Sequence, residues 1–535
     1  MLAGQMMDFP LTLTHLLQRL GSYYPKQQIL TKTHDGTHQY GFREYVGRTG
    51  QLASALTKAG VQPGDRIATM GWNSYRHFEL YFGIPCMGAV IHTVNFRLHP
   101  EQVVHIMNHA EDTIVFVDAS VYPLVEKIRP LLTTVRQVIV MDDVGQGTPA
   151  GTIDYEDFLA TGDPEFTWPD LDEQAAAGLC YTSGTTGHPK GCLYSHRSMV
   201  LHSLGMGVSG LALNEHDRVL SIVPMFHVNA WGFPYSAALM GYGLVFPGRF
   251  MQPQELVPFV LETKSTFIGG VPTIMTGLLM GLTKAGVRPE SLRLAVIGGS
   301  ALSRNLLEGF EKGFGLTVVQ GWGMTETSPV ATIGILRSHM LDWPEEDQIR
   351  QRLKQGPALA LVETRVVDES GAVLPWDGTS AGELQVRGPW VISSYYKDDR
   401  SEECFQDGWF RTGDVANIDG DGYVQLVDRV KDMVKSGGEW ISSVDLENAI
   451  MGHPQVAEAA VIAVAHPKWT ERPLACVVPA DKTLTKESVL EFLKGKVADW
   501  WVPDDVVFLE AIPKTSVGKI DKKVLRAEYS GWLTR

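Results

Sequence analysis

Residues 181–191 read YTSGTTGHPKG, and their composition is suited to holding an anion. Four hydroxyl side chains (Thr182, Ser183, Thr185, Thr186) and three glycines (Gly184, Gly187, Gly191) surround Lys190. Glycines let consecutive backbone N–H groups turn toward an anion, hydroxyls add donors, and a lysine adds a point charge. The apolar run Ala177–Tyr181 before the loop reads as the end of a strand. A G-x-x-x-x-G-K-S/T loop cannot be laid on Gly184, Gly187 and Lys190, so a Walker-type phosphate loop is excluded. By composition alone the stretch would pass for a flexible Ser/Gly turn.

Four further segments follow in order: GWGMTETSP (321–329), GWFRTGDV (408–415), DRVKDMVKSGGEWIS (428–442) and PKTSVGKIDKK (513–523). Together with the first loop they resemble, over nearly the whole chain, the motifs of the adenylate-forming superfamily of acyl-CoA synthetases, amino-acid adenylation domains and luciferases. The resemblance implies two half-reactions. A carboxylate attacks the α-phosphorus of ATP to give an acyl-adenylate and pyrophosphate, and the thiol of coenzyme A then displaces AMP.

Roles follow from the resemblance, residue by residue. Thr182, Ser183, Gly184, Thr185, Thr186, Gly187 and Lys190 are expected around the β- and γ-phosphates. Thr325 is expected at the α-phosphate. Glu326, with Thr182, is expected on Mg²⁺, a hard cation that takes oxygen ligands. Gly298, Gly299, Ser300, Gln320, Gly321 and Trp322 are expected around the adenine, with Trp322 stacking near the adenine or acyl end. Outside their motif, Glu326 would read as a solvated carboxylate and Trp322 as a core aromatic. Asp414 has two acceptor oxygens for the two ribose hydroxyls, and Arg429 is expected beside it. Lys431 takes the hinge position, where many relatives carry aspartate. Lys435 and Trp440 are expected to face nucleotide or CoA, and Gly437 and Gly438 to make room for pantetheine. Lys519, on the loop 516–520, is expected to reach the carboxylate and α-phosphate. Lys522 and Lys523 read as solvated surface lysines.

The segment PMFHVNAWGFPY (224–235) occupies the acyl-pocket position. It lacks the aspartate with which amino-acid adenylation domains pair a substrate ammonium. With SGGEWISSVDLENA (436–449) and HPKWTERPLA (466–475) it resembles bacterial medium- and long-chain fatty-acid–CoA ligases. There Trp231 would gate an apolar tunnel walled by His227 and Val228. Methylthiopropionate–CoA ligases share almost the same motifs, so a short thioether acid is the alternative. A catalytically inactive ATP- and acid-binding sensor is the alternative of another class, disfavoured by the presence of Lys190, Glu326, Asp414 and Lys519. A luciferase-type oxygenase is compatible with the fold, but no segment separately indicates oxygen chemistry.

The elements that must position these residues are those of an α/β protein. A chain of 535 residues exceeds one hydrophobic core, so more than one domain is expected. Strand-like Arg66–Trp72 and Thr113–Asp118 alternate with helical patterns at 12–20, around Leu52, Leu56 and Ala59, and after Pro100. Such alternation predicts layered, mostly parallel sheets. After about residue 380 short strands, GELQVRG (382–388) and 420–427, predict a small barrel-like or ribbon part. Ser442 reads as an N-cap for a helix with Leu446, Ala449 and Ile450 on one face, followed by a strand at 459–464. The expected organisation is a large N-terminal domain (1–427), a hinge (428–431) and a small mobile α+β lid (432–535).

The net charge of −15, from 61 acidic and 46 basic residues, argues against nucleic acid or an anionic membrane as partner. Anionic ATP and CoA must then be held by local donors. The five cysteines lack C-x-x-C spacing and read as reduced thiols. No apolar segment is long enough to span a bilayer. A soluble cytoplasmic enzyme is expected, and a homodimer by analogy with similar fatty-acid enzymes.

Overall fold

The computed structural model describes residues 2–534 except 183–188, 430, 437–438, 482 and 516–517. Among the described residues the strands form four sheets. Two of them are the mostly parallel layers expected from the alternating pattern. An eight-stranded sheet runs in the order Val330–Ile333, Thr317–Gly323, Leu294–Gly298, Phe267–Gly270, Arg218–Ser221, Gly243–Phe246, Gln28–Lys32, Thr37–Gly41, and only its two outermost pairings are antiparallel. A seven-stranded sheet contains Arg66–Met70, Asp112–Asp118 and Ala176–Tyr181, and its one antiparallel pairing joins Ala176–Tyr181 to Gly191–Ser195. The strand Leu294–Gly298 (LAVIG) is buried at every position, the continuous apolar run expected where both faces of a parallel sheet are covered.

Local signals explain most of the elements. Pro100 opens the helix Pro100–Ala110, and Glu111 ends it in a left-handed conformation with φ 59°. The first helix, Leu13–Tyr23, runs past Gly21, where the sequence predicts its end. That glycine serves packing instead: a Cβ there would stand 3.3 Å from Cγ2 of Val46 on the helix Phe42–Lys58. The region expected to be barrel- or ribbon-like is a five-stranded antiparallel sheet in which Trp409–Ile418 pairs with Gly382–Arg387 and Val424–Arg429.

The C-terminal part is α+β. Five strands, among them Val456–His466 and Thr470–Pro479, pack against the helices Ser443–Met451 and Lys522–Tyr529 over cores of their own. Ser442 caps the first of these helices, its Oγ accepting from the Asp445 N–H at 3.0 Å. Among the described residues no helix is long and apolar enough to cross a membrane.

A fully buried carboxylate joins four elements of the large domain. Glu79, on the helix Tyr75–Cys86, accepts from Arg48 Nε at 2.6 Å, from Tyr40 Oη at 2.9 Å and from Tyr155 Oη at 2.6 Å. Removing one member of a buried, hydrogen-bonded ion pair leaves the other uncompensated. Glu79→Ala is therefore expected to destabilise the large domain by about 3–5 kcal/mol, read as a lowered unfolding temperature.

Candidate active site

In open parallel sheets, ligands bind beyond the carboxyl ends of the strands, and a cavity of this protein lies there. Its volume is about 420 Å³. Thr182 follows the strand Ala176–Tyr181, Val271 follows Phe267–Gly270, and Gly298 and Gly299 end Leu294–Gly298; all face the cavity. Gly321–Glu326, Arg411–Asp414, Arg429, Lys431 and Lys519 line it as well.

On one side the groups are arranged for an anion and a cation. The Thr182 N–H donates to the Lys190 carbonyl at 2.9 Å and the Lys190 N–H to Thr182 Oγ1 at 3.2 Å, so the glycine-rich loop starts and ends at the cavity wall. Ser183, Gly184, Thr185, Thr186 and Gly187 lie outside the described residues. The Lys190 ammonium sits 4.4 Å from the centre of the Tyr395 ring and 3.7 Å from Cys404 Sγ. Tyr395 Oη donates to Glu326 Oε1 at 2.7 Å. The short helix Thr325–Thr327 is fixed by Tyr194 Oη on the Thr325 carbonyl (2.6 Å) and by the Ile392 N–H on the Glu326 carbonyl (2.9 Å). Burial raises the Glu326 pKa, opposed first by the Tyr395 hydrogen bond.

Deeper along the same wall, Asp414 is buried with both oxygens engaged. Trp322 Nε1 donates to Oδ2 at 3.0 Å, and Arg429 Nε lies 3.3 Å from Oδ1. Asp414 and Arg429 are register partners on adjacent strands, which fixes that pair by backbone geometry. Lys519 reaches the cavity from the C-terminal part. Its Cε passes 3.4 Å from where a Cβ on Gly299 would stand, and Thr273 Oγ1 holds its loop by donating to the Gly518 carbonyl at 3.0 Å. Burial, helped by the like charge of Arg429, pushes the Lys519 ammonium down to about 8, against the pull of Asp414 and Glu326. Burial also lowers Lys431.

The other side is apolar. Met206, Val223, Phe233, Val296, Val330 and Ile333 line it. His227, Val228 and Trp231 border it on a segment whose backbone is unusual: Val228, Asn229, Ala230 and Trp231 have φ of 47°, 51°, 51° and 56°. Left-handed conformations are costly for residues with a Cβ and cluster at functional sites. The Trp231 ring lies over the glycine corner, its Cη2 3.2 Å from a Cβ placed on Gly298. Burial first, then the Lys519 charge, pushes the His227 imidazole down to about 3, so it is neutral at working pH.

Residues 18–396 match the AMP-binding enzyme family and residues 445–519 match the AMP-binding enzyme C-terminal domain. The chain belongs to the AMP-binding enzyme family. Within it the sequence falls in the acyl-CoA ligase branch. It is 46% identical to the 3-methylmercaptopropionyl-CoA ligase of Ruegeria pomeroyi, with 99% of each chain covered. It is also 46% identical to the long-chain-fatty-acid–CoA ligase of Thermus thermophilus, covering 98% of this chain and 97% of that one. The crystal structure of the anthranilate CoA ligase AuaEII in complex with anthranoyl-AMP superposes with a TM-score of 0.89 at 25% identity, covering 99% of each chain.

In this AMP-binding enzyme the cavity collects Thr182, Lys190, Gly299, Gly321, Trp322, Thr325, Glu326, Asp414, Arg429, Lys431 and Lys519 with His227, Val228 and Trp231. Gln320 is not among its lining; its Oε1 accepts from the Leu302 N–H at 3.2 Å. Lys435 and Trp440, expected to face nucleotide or CoA, lie away from the cavity on the strands Val434–Ser436 and Glu439–Ile441. There the ammonium stands 5.0 Å from the centre of the indole ring, and Trp440 is 43% exposed. Gly437 and Gly438 lie outside the described residues. Lys522 is not the solvated lysine that the sequence predicts: it is nearly buried and pairs with Glu447 at 2.7 Å, while Lys523 is exposed. Tyr395, which no sequence spacing singled out, joins Lys190 to the Glu326 carboxylate.

Among the described residues no group of three or more His, Cys, Asp or Glu side chains could form a metal cage. Mg²⁺ does not require one, because it is commonly held by one or two carboxylates with substrate phosphates and water. A single buried carboxylate, Glu326, with the Thr182 hydroxyl on the same cavity fits that donor set.

A Lys519 ammonium that titrates near 8 is charged below that pH and neutral above it. The kcat/KM for ATP in adenylate formation is expected to fall as pH rises through about 8. Lys519→Arg, charged throughout this range, should move that alkaline limb upward. Lys519→Ala should lower adenylation about 10²–10³-fold while sparing thioester formation from acyl-adenylate supplied ready-made.

Proposed function

We propose that this acyl-CoA ligase activates a medium- or long-chain fatty acid with ATP to acyl-AMP, and then passes the acyl group to coenzyme A with release of AMP. The observation that carries the reading is the pairing, in one cavity, of a charged wall (Lys190, Glu326, Asp414, Lys519) with an apolar side. Lys190 and the loop beginning at Thr182 hold the β- and γ-phosphates and the leaving pyrophosphate. Glu326 and Thr182 hold Mg²⁺, which when bound neutralises phosphate charge. Thr325 binds the α-phosphate. Asp414 accepts from the ribose hydroxyls beside Arg429, with Gly299 and Gly321 at the adenine. The Lys519 ammonium stabilises the charge that develops between carboxylate and α-phosphate, a role suited to a preorganised donor in a desolvated site.

The domain reading is a large domain to residue 427, a hinge at 428–431 and a lid at 432–535. Lys435, Gly437, Gly438 and Trp440 fall within residues 432–535 of the sequence, and they are assigned to CoA in a second lid orientation that follows adenylation. All five cysteines are free thiols, which supports a reducing compartment such as the cytoplasm. A homodimer belongs to the same reading by analogy.

A second reading is favoured by one observation: a 3-methylmercaptopropionate ligase and a long-chain ligase are equally similar to this chain. In that reading the acid is 3-methylthiopropionate. Steady-state AMP release dependent on CoA, measured across straight-chain acids from propionate to stearate and with 3-methylthiopropionate, separates the two. The highest kcat/KM is expected with a medium or long chain; a maximum at the thioether acid would replace the first reading with the second.

Trp231 gates the apolar side in this proposal, and its indole can close a channel in one rotamer. Trp231→Ala is expected to let the preferred acid bind without nucleotide, whereas wild type binds it tightly only with a non-hydrolysable ATP analogue. Titrations of both proteins, with and without the analogue, check this. An equal effect of the analogue on both would remove the gate.

A further inference from the structure

We infer that Asp428 is a positioning residue, a latch that holds the C-terminal part in the orientation that delivers Lys519, and that it must release for the second half-reaction. The inference rests on the lid reading above. Asp428 opens the hinge segment, yet its backbone is held in the sheet of the large domain: the strand pairs Val415 with Asp428 and Asp414 with Arg429, so a pivot at Lys431 lies beyond it. Its side chain, however, is bound by the other part. Asp428 Oδ2 accepts from both the N–H and the Oγ of Ser443, each at 2.6 Å, while Oδ1 accepts from the Arg429 N–H at 2.7 Å. One residue earlier, the Val427 carbonyl accepts from Ser442 Oγ at 2.6 Å. Three hydrogen bonds thus cross the pivot to the first residues of the helix Ser443–Met451. A carboxylate at the positive end of a helix is further stabilised by the aligned backbone dipoles.

The same hydroxyl relays the latch to the catalytic loop. Lys522 Nζ donates to Ser443 Oγ at 2.5 Å and pairs with Glu447 at 2.7 Å, and Glu447 in turn accepts from the Val461 N–H at 2.7 Å. Lys522 begins the helix Lys522–Tyr529, three residues after Lys519. The loop between is closed on itself: the Thr515 N–H donates to the Lys519 carbonyl at 2.7 Å and the Asp521 N–H to the Pro513 carbonyl at 2.8 Å. Arg526 and Asp432 add an ion pair just past the pivot. Asp428 is thereby connected to Lys519 through groups that are mostly buried, where charge-assisted hydrogen bonds are strong and costly to leave unmade.

Rotation about Lys431 would separate Asp428 from Ser443 while carrying Ser443, Lys522, Glu447 and the Lys519 loop together. Two full-length variants test this, Asp428→Ala and Ser443→Ala; the second keeps the carboxylate and the backbone N–H bond. Each half-reaction is measured separately: pyrophosphate release with octanoate or 3-methylthiopropionate in the absence of CoA, and thioester formation from the corresponding synthetic acyl-AMP with CoA. Adenylation is expected to fall about ten- to a hundred-fold, as loss of a buried charge-assisted bond allows, with thioester formation unchanged or faster. Asp428→Asn should restore part of the adenylation rate.

A second readout needs no acid. Spin labels at Lys284→Cys and Glu487→Cys, in a Cys404→Ser background, report the distance between the two parts with AMP-PNP bound. One narrow distance is expected with Asp428 and Ser443 intact, and a second population in each variant. A parallel fall of both half-reactions, or rates and distances like those of wild type, would overturn the latch. Failure of the intact enzyme to adenylate either acid would count against the proposed substrates, and the distances would still decide the latch.

Discussion

A carboxylate withdrawn from water needs donors, and the way Asp414 obtains them organises the cavity. Its donors come from different sheets: the Trp322 indole from the second strand of the eight-stranded sheet, and Arg429 from the neighbouring strand of the antiparallel sheet. The pairing therefore seats the antiparallel sheet against the large one at the charged wall of the cavity. It also leaves Arg429 close enough to depress Lys519, which Asp414 itself attracts. In the proposed function a nucleotide arriving here would meet groups already oriented, and preorganised dipoles and charges are usually the largest single source of transition-state stabilisation.

The opposite wall follows from the absence of side chains. Gly298 and Gly299 end a parallel strand where the backbone of Gly321, the Trp231 ring, Val271 and the Lys519 stem converge. Any Cβ at Gly298 would meet the Gly321 carbonyl oxygen at 2.7 Å. A side chain introduced at this corner would disturb the Trp231 ring and the Lys519 stem together.

The catalytic candidates were legible because each sits in a short segment whose residue types are unusual together. Lys190 among hydroxyls and glycines, Glu326 between threonines, Asp414 after Thr-Gly, and Lys519 after glycine are local signals. The alternation of strands and helices, the Pro100 helix start and the Ser442 cap were legible for the same reason. What stayed hidden depends on contacts between distant residues. Tyr395 lies 69 positions from Glu326, and Met206 lines the cavity from near the end of the helix His196–Gly207, outside every motif. Gln320 sits beside motif residues but faces Leu302, because successive side chains of a strand point to opposite faces. Lys522 read as solvated since its partners, Ser443 and Glu447, come from another helix.

The left-handed run from Val228 to Trp231 bears on how this protein can change. Glycine at Asn229 or Ala230 would remove the steric penalty of those backbone angles, yet it would also release the turn from which the Trp231 ring projects. Stability and a fixed placement of the Trp231 ring therefore pull in opposite directions at these positions. A search for hardier variants that screened only for resistance to heat would be drawn to such glycines, and would return proteins in which the Trp231 ring is no longer held over the glycine corner of the cavity.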